Sequence, residues 1–328
     1  MATVLNESNC KFSAKGSYLY TFACHENERE LCMLELEVLL RHASEIHSIS
    51  GAYVRSDIDI PPGRSPFIRG RLEVSAEADS ISELLPFASE IQLLPEETFK
   101  VVCLKEGDDR RDYESARKLE RQVGMCIQGK AQMKEPKVTF GVIHAGGKWI
   151  LGRWTEADRP WQNRRNKPQN YSTGFGVTLA RSLVNIAVPE IQGHRLLDPC
   201  CGMGTVVIEA MSMGIETRGN DLNPLAVQGA RVNLPAYGYD AACITLGDMN
   251  DLQGTYDAAI LDMPYNLCSV LPDDEQRAML TSLRRLTGRA VVVSTEWVEN
   301  HLLTAGWKVT HYCKISKGTF IRHIWLCT

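Results

Sequence analysis

Residues 196–210, LLDPCCGMGTVVIEA, are the stretch that most constrains the fold of this chain. A short apolar run ends at Asp198, a loop containing Gly202 and Gly204 follows, and an apolar helix is predicted from Thr205. A strand, a glycine loop and a helix in this order place a ligand site at the carboxyl end of a parallel strand. Glycines let the backbone turn sharply and allow a ligand to approach it closely. The sequence therefore predicts an α/β domain with a binding site at this loop.

The spacing of the loop residues separates several nucleotide-binding motifs. The nicotinamide fingerprint G-x-G-x-x-G needs a third glycine, and this chain has Val207 at that position. A P-loop needs Gly-Lys-Ser/Thr, and no lysine follows these glycines. An aspartate before a two-glycine loop resembles motif I of S-adenosylmethionine-dependent methyltransferases. The resemblance implies that cofactor contacts come from Asp198, Cys200, Gly202, Gly204 and Thr205. A tight turn in another kind of α/β domain is the alternative that the loop alone leaves open.

Two further predicted strands also end in acidic residues. Asp221 lies about twenty residues past the loop, a spacing at which a carboxylate accepts hydrogen bonds from ribose hydroxyls. Asp248 and Met249 end the next strand, where an acid and an apolar neighbour suit the edge and face of an adenine. An isolated Asp221 would also suit a solvated helix N-cap before Pro224. Together with the loop, the series of strand-end acids favours a cofactor site.

The following predicted strand runs into Asp262-Met263-Pro264-Tyr265, which is similar to the (Asp/Asn)-Pro-Pro-Tyr motif of enzymes that methylate exocyclic amines. Such an amine is a poor nucleophile, because its lone pair is delocalised into the aromatic ring. The Asp262 carboxylate and the Met263 carbonyl can accept its two N–H bonds, while Pro264 stiffens the loop and Tyr265 stacks on a flipped base. Alignment and electrostatics would then supply most of the rate gain. The chain departs from the family pattern at Met263, where proline is usual.

Composition excludes several classes of protein. The 328-residue chain has a formal net charge of -4, which argues against nonspecific coating of nucleic acid. No apolar run reaches the roughly eighteen residues that span a bilayer, and residues 1–16 lack a signal-peptide pattern. The 11 cysteines include no CxxC pair. We therefore expect reduced thiols, a cytoplasmic location, no membrane association and no metal site.

A local basic segment at residues 153–167 contrasts with the acidic net charge. Its cations are interleaved with Trp154 and Trp161, and only two acids oppose them. A run of this kind is most often a solvated linker, but cations beside aromatic rings also suit a phosphate backbone. We predict RNA contacts from Arg159, Arg164, Arg165 and Lys167.

The N-terminal half alternates predicted strands and helices. Residues 31–40 predict an amphipathic helix, and residues 138–154 predict a β-hairpin. Residues 98–127 and 137–154 resemble the THUMP domain of RNA-modifying enzymes, which implies RNA binding. An ordinary α+β packing domain is the alternative. Residues 167–187 resemble the bridge of THUMP-linked guanosine N2-methyltransferases, which implies that a loop with Ser172 and Thr173 contributes to the cofactor pocket.

These observations predict an α/β protein with a doubly wound Rossmann-like methyltransferase sheet, a C-terminal antiparallel hairpin and an N-terminal α+β THUMP-containing region. We expect an N-terminal α+β segment at 1–50, the THUMP-like RNA-binding domain at 51–154, a linker at 155–187 and the methyltransferase domain at 188–328.

The resemblance implies methyl transfer from S-adenosyl-L-methionine to the exocyclic amine of guanosine in tRNA, that is, RNA methylation during tRNA processing. An adenine-N6 methyltransferase acting on DNA or rRNA stays open, because the same motif serves that amine. A catalytically decayed RNA-binding subunit is a third hypothesis, and Met263 is the residue that favours it. The sequence does not identify a protein partner.

Overall fold

Strands and helices alternate along the chain, as the sequence pattern predicts. The structure is a computed structural model that describes residues 11–12, 16–41, 45–47, 53–105, 111–170, 174–264, 271–317 and 320–328. Three predicted site residues, Ser172, Thr173 and Tyr265, lie outside these ranges. In the described part of the chain, every helix is too short or too polar to cross a membrane.

The helices are α1 (Arg29–Leu39), α2 (Ile81–Glu90), α3 (Tyr113–Gly124), α4 (Val177–Ala187), α5 (Thr205–Ser212), α6 (Pro224–Ala236), α7 (Asp273–Leu286) and α8 (Glu299–Thr304). The strands of the first sheet are β1 (Lys11–Phe12), β2 (Tyr18–Phe22), β3 (Glu45–His47), β4 (Tyr53–Ser56), β5 (Ile68–Ala78), β6 (Thr98–Cys103), β7 (Lys130–Ala131), β8 (Val138–Ala145) and β9 (Lys148–Glu156). The strands of the second sheet are β10 (Arg195–Asp198), β11 (Glu216–Asp221), β12 (Ile244–Leu246), β13 (Ala258–Asp262), β14 (Ala290–Ser294), β15 (Val309–Lys317) and β16 (Phe320–Cys327).

The chain divides into two compact units. Unit 1 contains Met1–Ala23, Leu40–Gly63 and Phe67–Asp158, and unit 2 contains Cys24–Leu39, Arg64–Pro66 and Arg159–Thr328. The chain therefore enters unit 2 three times. The domain boundaries drawn from the sequence stay a prediction, because compactness alone does not assign a function to either unit.

Unit 1 is built on a mixed sheet with the strand order β3-β4-β2-β5-β9-β8-β6-β7, and β1 pairs with β5. Strands β8 and β9 form an antiparallel hairpin, which confirms the hairpin predicted at residues 138–154. Strands β6 and β8 are parallel, and α3 lies between them in the chain. Asp112 caps α3, since its Oδ1 accepts a hydrogen bond from the backbone N–H of Ser115.

Unit 2 is built on a sheet with the strand order β12-β11-β10-β13-β14-β16-β15. Strands β10 to β14 are parallel, whereas β16 pairs antiparallel with both β14 and β15. The predicted doubly wound sheet with a C-terminal antiparallel hairpin is therefore confirmed. The order of the parallel strands reverses between β10 and β13, and ligands bind at the carboxyl ends of strands at such a point.

The central strands of unit 2 read as continuous apolar runs. In β14, every residue from Ala290 to Ser294 is buried, and Ala258 to Leu261 of β13 are buried as well. Parallel strands covered on both faces require apolar side chains on both faces, so these runs follow from the architecture. Both runs end in a polar residue at the carboxyl end of the strand, Ser294 in β14 and Asp262 in β13.

Helix α1 belongs to unit 2 although it lies near the start of the chain. The backbone N–H of Lys314 on β15 donates to the Glu30 carboxylate at 2.9 Å. Just before the helix, the Asn27 amide donates to the carbonyl of Ser316 at 2.8 Å. Hydrogen bonds that span more than 280 residues fix α1 beside the C-terminal hairpin.

A buried ion network lies between the segment before α4, α4 and α5. Glu209 of α5 is only 1% exposed, and its two carboxylate oxygens accept from Arg164 Nε at 2.6 Å and Arg181 Nη1 at 3.0 Å. The Arg164 guanidinium also donates to Ser212 Oγ at 3.0 Å. Because Glu209 is removed from water, its negative charge depends on these two arginines.

A second buried carboxylate, Glu35 of α1, continues this polar interior. Asn185 of α4 donates to it at 2.5 Å and Ser65 at 2.7 Å. Burial raises the pKa of Glu35 to about 7, while the two donors and nearby arginines lower it. Arg64 completes the layer by donating to Asn185 Oδ1 and to the carbonyl of Val188. Polar side chains therefore join α1 and α4 within unit 2.

Candidate active site

The glycine loop lies between β10 and α5 at the reversal point of the sheet. Gly202 has φ 52° and Gly204 has φ 76°, both in the left-handed region that glycine adopts without strain. A Cβ on Gly204 would stand 2.9 Å from Leu234 Cδ1, so α6 packs closely against the loop. The predicted strand, glycine loop and helix are therefore confirmed, and the first residue of α5 is Thr205.

The Asp221 carboxylate ties the end of β11 to this loop. Its Oδ2 accepts from the backbone N–H of Gly202 at 2.7 Å, and its Oδ1 accepts from the backbone N–H of Asn223 at 2.9 Å. Asn223, not Asp221, is the N-cap of α6, because its Oδ1 accepts from the N–H of Leu225. The carboxylate thus has a fixed orientation and keeps further lone pairs for a ligand.

Asn220 connects three neighbouring strand ends, and the sequence analysis did not single it out. Its side-chain amide donates to the carbonyls of Pro199 at 3.2 Å and Gly247 at 2.9 Å. Its Oδ1 accepts from Thr245 Oγ1 at 3.0 Å. A buried amide with these partners fixes the loops after β10 and β12 around Asp221. Because β11 has the sequence ETRGND, Asn220 is one polar residue among several, and the sequence alone does not distinguish it.

A cavity of about 580 Å³ opens at these strand ends, a volume typical of small-molecule sites. Five of the predicted cofactor residues line it: Asp198, Cys200, Gly202, Thr205 and Asp221. Asp262, Met263 and Pro264 of the predicted catalytic motif line it too. Lining residues that the sequence analysis did not name include Phe175, Met203, Val206, Leu222 and Ala226. The structure therefore brings the glycine loop, the Asp221 strand end and the catalytic motif together.

Three predicted cofactor residues are absent from the described lining of this cavity. Gly204 shapes the loop through its positive φ and does not itself line the cavity. Asp248 accepts a hydrogen bond from the backbone N–H of Asn250 at 2.8 Å and so caps its own turn. Met249 is buried in the core beside α7. Asp248 fits the strand-end pattern, but it follows the edge strand β12 and does not line the cavity.

Carboxylates dominate the charge of the cavity. Asp198 is only 3% exposed, and burial together with the charges of Asp221 and Asp262 raises its pKa well above its ordinary value. Burial raises the pKa of Asp262 to about 7, and Arg322 lowers it. Three acids around one apolar-lined space favour a ligand that carries positive charge and hydroxyl groups. S-adenosylmethionine has both, so the residues present fit this cofactor.

Asp262 offers the cavity an unused acceptor. Its Oδ1 is buried and has no hydrogen-bond partner among the described residues. A buried oxygen without a partner is costly unless a ligand supplies a donor. An amine that enters the cavity can supply it.

Met263 is anchored in the sheet. Its backbone N–H donates to the Val293 carbonyl at 2.8 Å, and its side chain is 3% exposed in the core. A proline at this position would have no N–H to donate. The departure from the family motif therefore adds one hydrogen bond that holds the strand end before Pro264.

The four predicted RNA-contact residues lie in different environments. Arg164 is engaged inside unit 2 by Glu209, and its side chain is only 14% exposed. Lys167 lines the cavity, and its ammonium donates to Thr205 Oγ1. Arg165 is exposed, with its guanidinium 6.0 Å from the Trp161 ring centroid. Arg159 is half-buried. The geometry thus gives Arg164 and Lys167 internal contacts and leaves Arg165 facing solvent.

The described residues show no cluster of side chains suited to a metal ion. Within the described ranges, no three or more His, Cys, Asp and Glu side chains are grouped so that they could hold a metal ion. The described cysteines likewise form no disulfide bond with one another.

Unit 2 is thus a parallel α/β domain in which a glycine loop at the reversal point, strand-end acids and the Asp262-Met263-Pro264 motif surround one cavity. Residues 164–296 match the UPF0020 family model, described as RMKL-like, methyltransferase domain. The match confirms the resemblance to a methyltransferase that the sequence predicts.

Three relatives have names that describe a more specific activity. The chain is 29% identical over 245 residues to a tRNA (guanine(10)-N2)-dimethyltransferase of Methanothermobacter thermautotrophicus, covering 68% of this chain and 70% of the relative. It is 29% identical to the Pyrococcus abyssi enzyme of the same name, with 53% and 56% coverage. It is 26% identical to the mouse U6 snRNA (guanine-N(2))-methyltransferase THUMPD2, with 64% and 41% coverage. The chain thus spans between two fifths and about seven tenths of these relatives.

The Asp221 carboxylate gives a direct test of the cofactor site. We expect Asp221→Ala to weaken binding of S-adenosylhomocysteine roughly 10- to 100-fold, because a charge-assisted contact to the ligand is lost. The loop would also lose the acceptor of the Gly202 N–H. Isothermal titration calorimetry measures the change, and Asp251→Ala, at an exposed acid outside the cavity lining, is the control. Equal affinity of both variants for S-adenosylhomocysteine would contradict the assignment.

Proposed function

We propose that this protein methylates the exocyclic N2 amine of a guanosine in tRNA. The observation that carries the proposal is the buried, unpartnered Oδ1 of Asp262 at the end of β13, in the cavity that fits the cofactor. The relatives support the choice of amine, because all three are named for methylation of guanine N2 in RNA. Two of the three are named for tRNA.

The chemistry follows from what the chain's own groups can do to an aromatic amine. When bound, S-adenosylmethionine supplies an electrophilic methyl group on a positively charged sulfur. The Asp262 carboxylate accepts an N–H of the guanine amine, which favours a pyramidal nitrogen whose lone pair can be aimed at the methyl group. The Met263 carbonyl is the second acceptor that the motif offers. Asp262 also takes the proton that the amine loses, and its raised pKa suits a group that exchanges protons near neutral pH.

Unit 1 is the proposed RNA-binding part, with a THUMP-like domain at residues 51–154. The order β6, α3, β7, β8, β9 supports this, because it gives the strand, helix and closing hairpin of the resemblance. The N-terminal segment at 1–50, the linker at 155–187 and the catalytic domain at 188–328 complete the proposed division. Among the cations of the basic segment, exposed Arg165 and half-buried Arg159 are the proposed phosphate contacts. We place the protein in the cytoplasm, where tRNA and reduced thiols are both found.

Nucleoside analysis tests the proposed substrate. We expect tRNA from cells that lack this protein to lose N2-methylated guanosine, and complementation to restore it. Liquid chromatography with mass spectrometry measures the loss, while the N6-methyladenosine content of DNA and rRNA should stay constant. A change in N6-methyladenosine instead would favour the adenine alternative. Unchanged nucleosides in every RNA and in DNA would favour the decayed-subunit alternative.

A reconstituted reaction tests the reacting atom. Purified protein and a methyl-labelled donor should label a tRNA transcript made with guanosine. A transcript made with inosine, which lacks the N2 amine, should accept no label at the target position. Incorporation into the inosine transcript at an equal level would rule out the N2 amine as the acceptor.

A further inference from the structure

Lys167 differs from the other charged residues of the cavity in the sign of its charge. Among the described lining residues, the acids are Asp198, Asp221 and Asp262, and Lys167 is the one cation. Its ammonium donates to Thr205 Oγ1 at the first residue of α5. Positive charge therefore gathers where the ammonium meets the amino end of α5.

The backbone on both sides of Lys167 is held in place by α6 and its end. Asn233 of α6 is fully buried, and its Oδ1 accepts from the Gln169 N–H at 2.8 Å while its amide donates to the Gln169 carbonyl at 2.9 Å. The same amide donates to the Met203 carbonyl of the glycine loop at 3.0 Å. Tyr237 Oη donates to the Asn166 carbonyl at 3.3 Å. These bonds anchor residues 166–169 against the loop, so the direction of the Lys167 side chain is built into the site.

The free-energy cost of burying the Lys167 ammonium points to a ligand at this position. Burial lowers the pKa of Lys167, and the negative charge of Glu209 raises it. Thr205 Oγ1 is neutral, and the Glu209 carboxylate is already bonded to Arg164 and Arg181, so neither group forms an ion pair with the ammonium in this partly dry site. An anionic group bound here would compensate it.

We propose that Lys167 binds the α-carboxylate of the amino-acid part of the methyl donor. The donor carries a carboxylate at this end and ribose hydroxyls and an adenine at the other. Lys167 and Thr205 supply donors for the carboxylate, whereas Asp221 supplies an acceptor for the hydroxyls. The proposal assigns Lys167 to the cofactor and not to RNA, and it rests on the methyltransferase function proposed above.

Two ligands distinguish the contact of Lys167 with the carboxylate from the other contacts of the site. S-adenosylhomocysteine contains the amino-acid part, and 5′-methylthioadenosine keeps the adenine and the ribose but lacks it. We expect Lys167→Met to weaken S-adenosylhomocysteine roughly 10- to 100-fold, which corresponds to one charge-assisted hydrogen bond. Binding of 5′-methylthioadenosine should stay close to that of the unchanged protein. Calorimetry on the full-length protein measures both affinities.

Two further variants control the experiment. Lys167→Arg keeps the charge and should recover most of the affinity for S-adenosylhomocysteine. Lys308→Met makes the same substitution at an exposed lysine outside the cavity lining and should change neither affinity. Thermal unfolding without ligand shows whether Lys167→Met folds, and if it does not, the comparison of the arginine variant with the unchanged protein carries the test.

The outcomes that overturn the proposal are distinct. An equal loss for both ligands would mean that Lys167 supports the shape of the cavity. Unchanged S-adenosylhomocysteine affinity with weakened tRNA binding would mean that Lys167 contacts RNA phosphate. If the unchanged protein binds 5′-methylthioadenosine and S-adenosylhomocysteine equally well, the carboxylate has no partner and the proposal fails alone. If it binds neither, the methyltransferase function fails with it.

Discussion

Replacing Asp262 by asparagine should lower the rate of methyl transfer by about 10²- to 10⁴-fold, the usual contribution of a positioned acid or base. An asparagine amide can accept an N–H bond through its oxygen, but it cannot take the proton that the guanine amine loses. S-adenosylhomocysteine affinity should stay near that of the unchanged protein, because the role proposed for Asp262 is a contact to the amine and not to the cofactor. Single-turnover transfer of labelled methyl to tRNA gives the rate, and calorimetry gives the affinity.

The pH dependence of the same reaction checks the role of the carboxylate. Burial raises the pKa of Asp262 to about 7, so the carboxyl is protonated below that pH and cannot accept the proton of the amine. We expect kcat/KM to rise with pH through about 7 and then to level off, and Asp262→Asn to remove this rise. Asp274→Asn, at an exposed acid in the first turn of α7, should leave rate and profile unchanged. An Asp262→Asn rate near wild type would exclude the proposed role.

The fold and the acids of the cavity could be predicted because both depend on local sequence. Each of these signals, a glycine pair in a βα turn or an acid at the end of an apolar run, lies within a short stretch of the sequence. Parallel strands then gather such ends at one edge of a sheet, which places Asp198, Asp221 and Asp262 together. Asp248 obeys the same pattern, yet it is not among the residues that line the cavity. The pattern cannot distinguish a strand end that lines the cavity from one that does not.

The basic segment could not be interpreted from charge alone. Arg164 and Arg165 are adjacent in sequence, but Arg164 bonds to Glu209, 45 residues further along, and Arg165 stays exposed. One signal was present: Glu209 is an acid within the apolar helix at residues 205–210, and a buried acid needs a cationic partner. Choosing that partner among several arginines requires the packing of α4 on α5, which no local pattern encodes.

The packing of α1 in unit 2 also could not be predicted from the sequence. Its amphipathic pattern predicts a helix and an apolar face, and both are found. The pattern does not say what the face covers. Glu30 bonds to Lys314 and Glu35 to Asn185, over separations of 284 and 150 residues. Contacts of this length are set by the complete sheet of unit 2, so the helix joins the C-terminal unit despite its position in the chain.

Glu209→Gln should destabilise unit 2 by about 3–5 kcal/mol, the effect of removing one partner from a buried ion pair. The change is nearly isosteric, so loss of charge and not of volume accounts for the effect. Arg181 stays buried beside an uncharged amide, and Arg164 loses the carboxylate that holds it at 2.6 Å. The cost is large because neither guanidinium can reach water without disrupting the packing of α4 on α5. Glu216→Gln, at an exposed position on β11, should cost about 0–1 kcal/mol.

Urea unfolding measures the loss of stability in the Glu209→Gln and Glu216→Gln variants, provided that the unfolding transition of unit 2 is identified. S-adenosylhomocysteine stabilises only the unit that binds it, so the transition that the ligand moves to higher urea belongs to unit 2. The double variant Glu209→Gln with Arg181→Met should be less unstable than the sum of the two single variants, because each removes a charge that the other leaves uncompensated. Additive losses, or a Glu209→Gln effect no larger than that of Glu216→Gln, would show that the network does not hold α4 and α5 together.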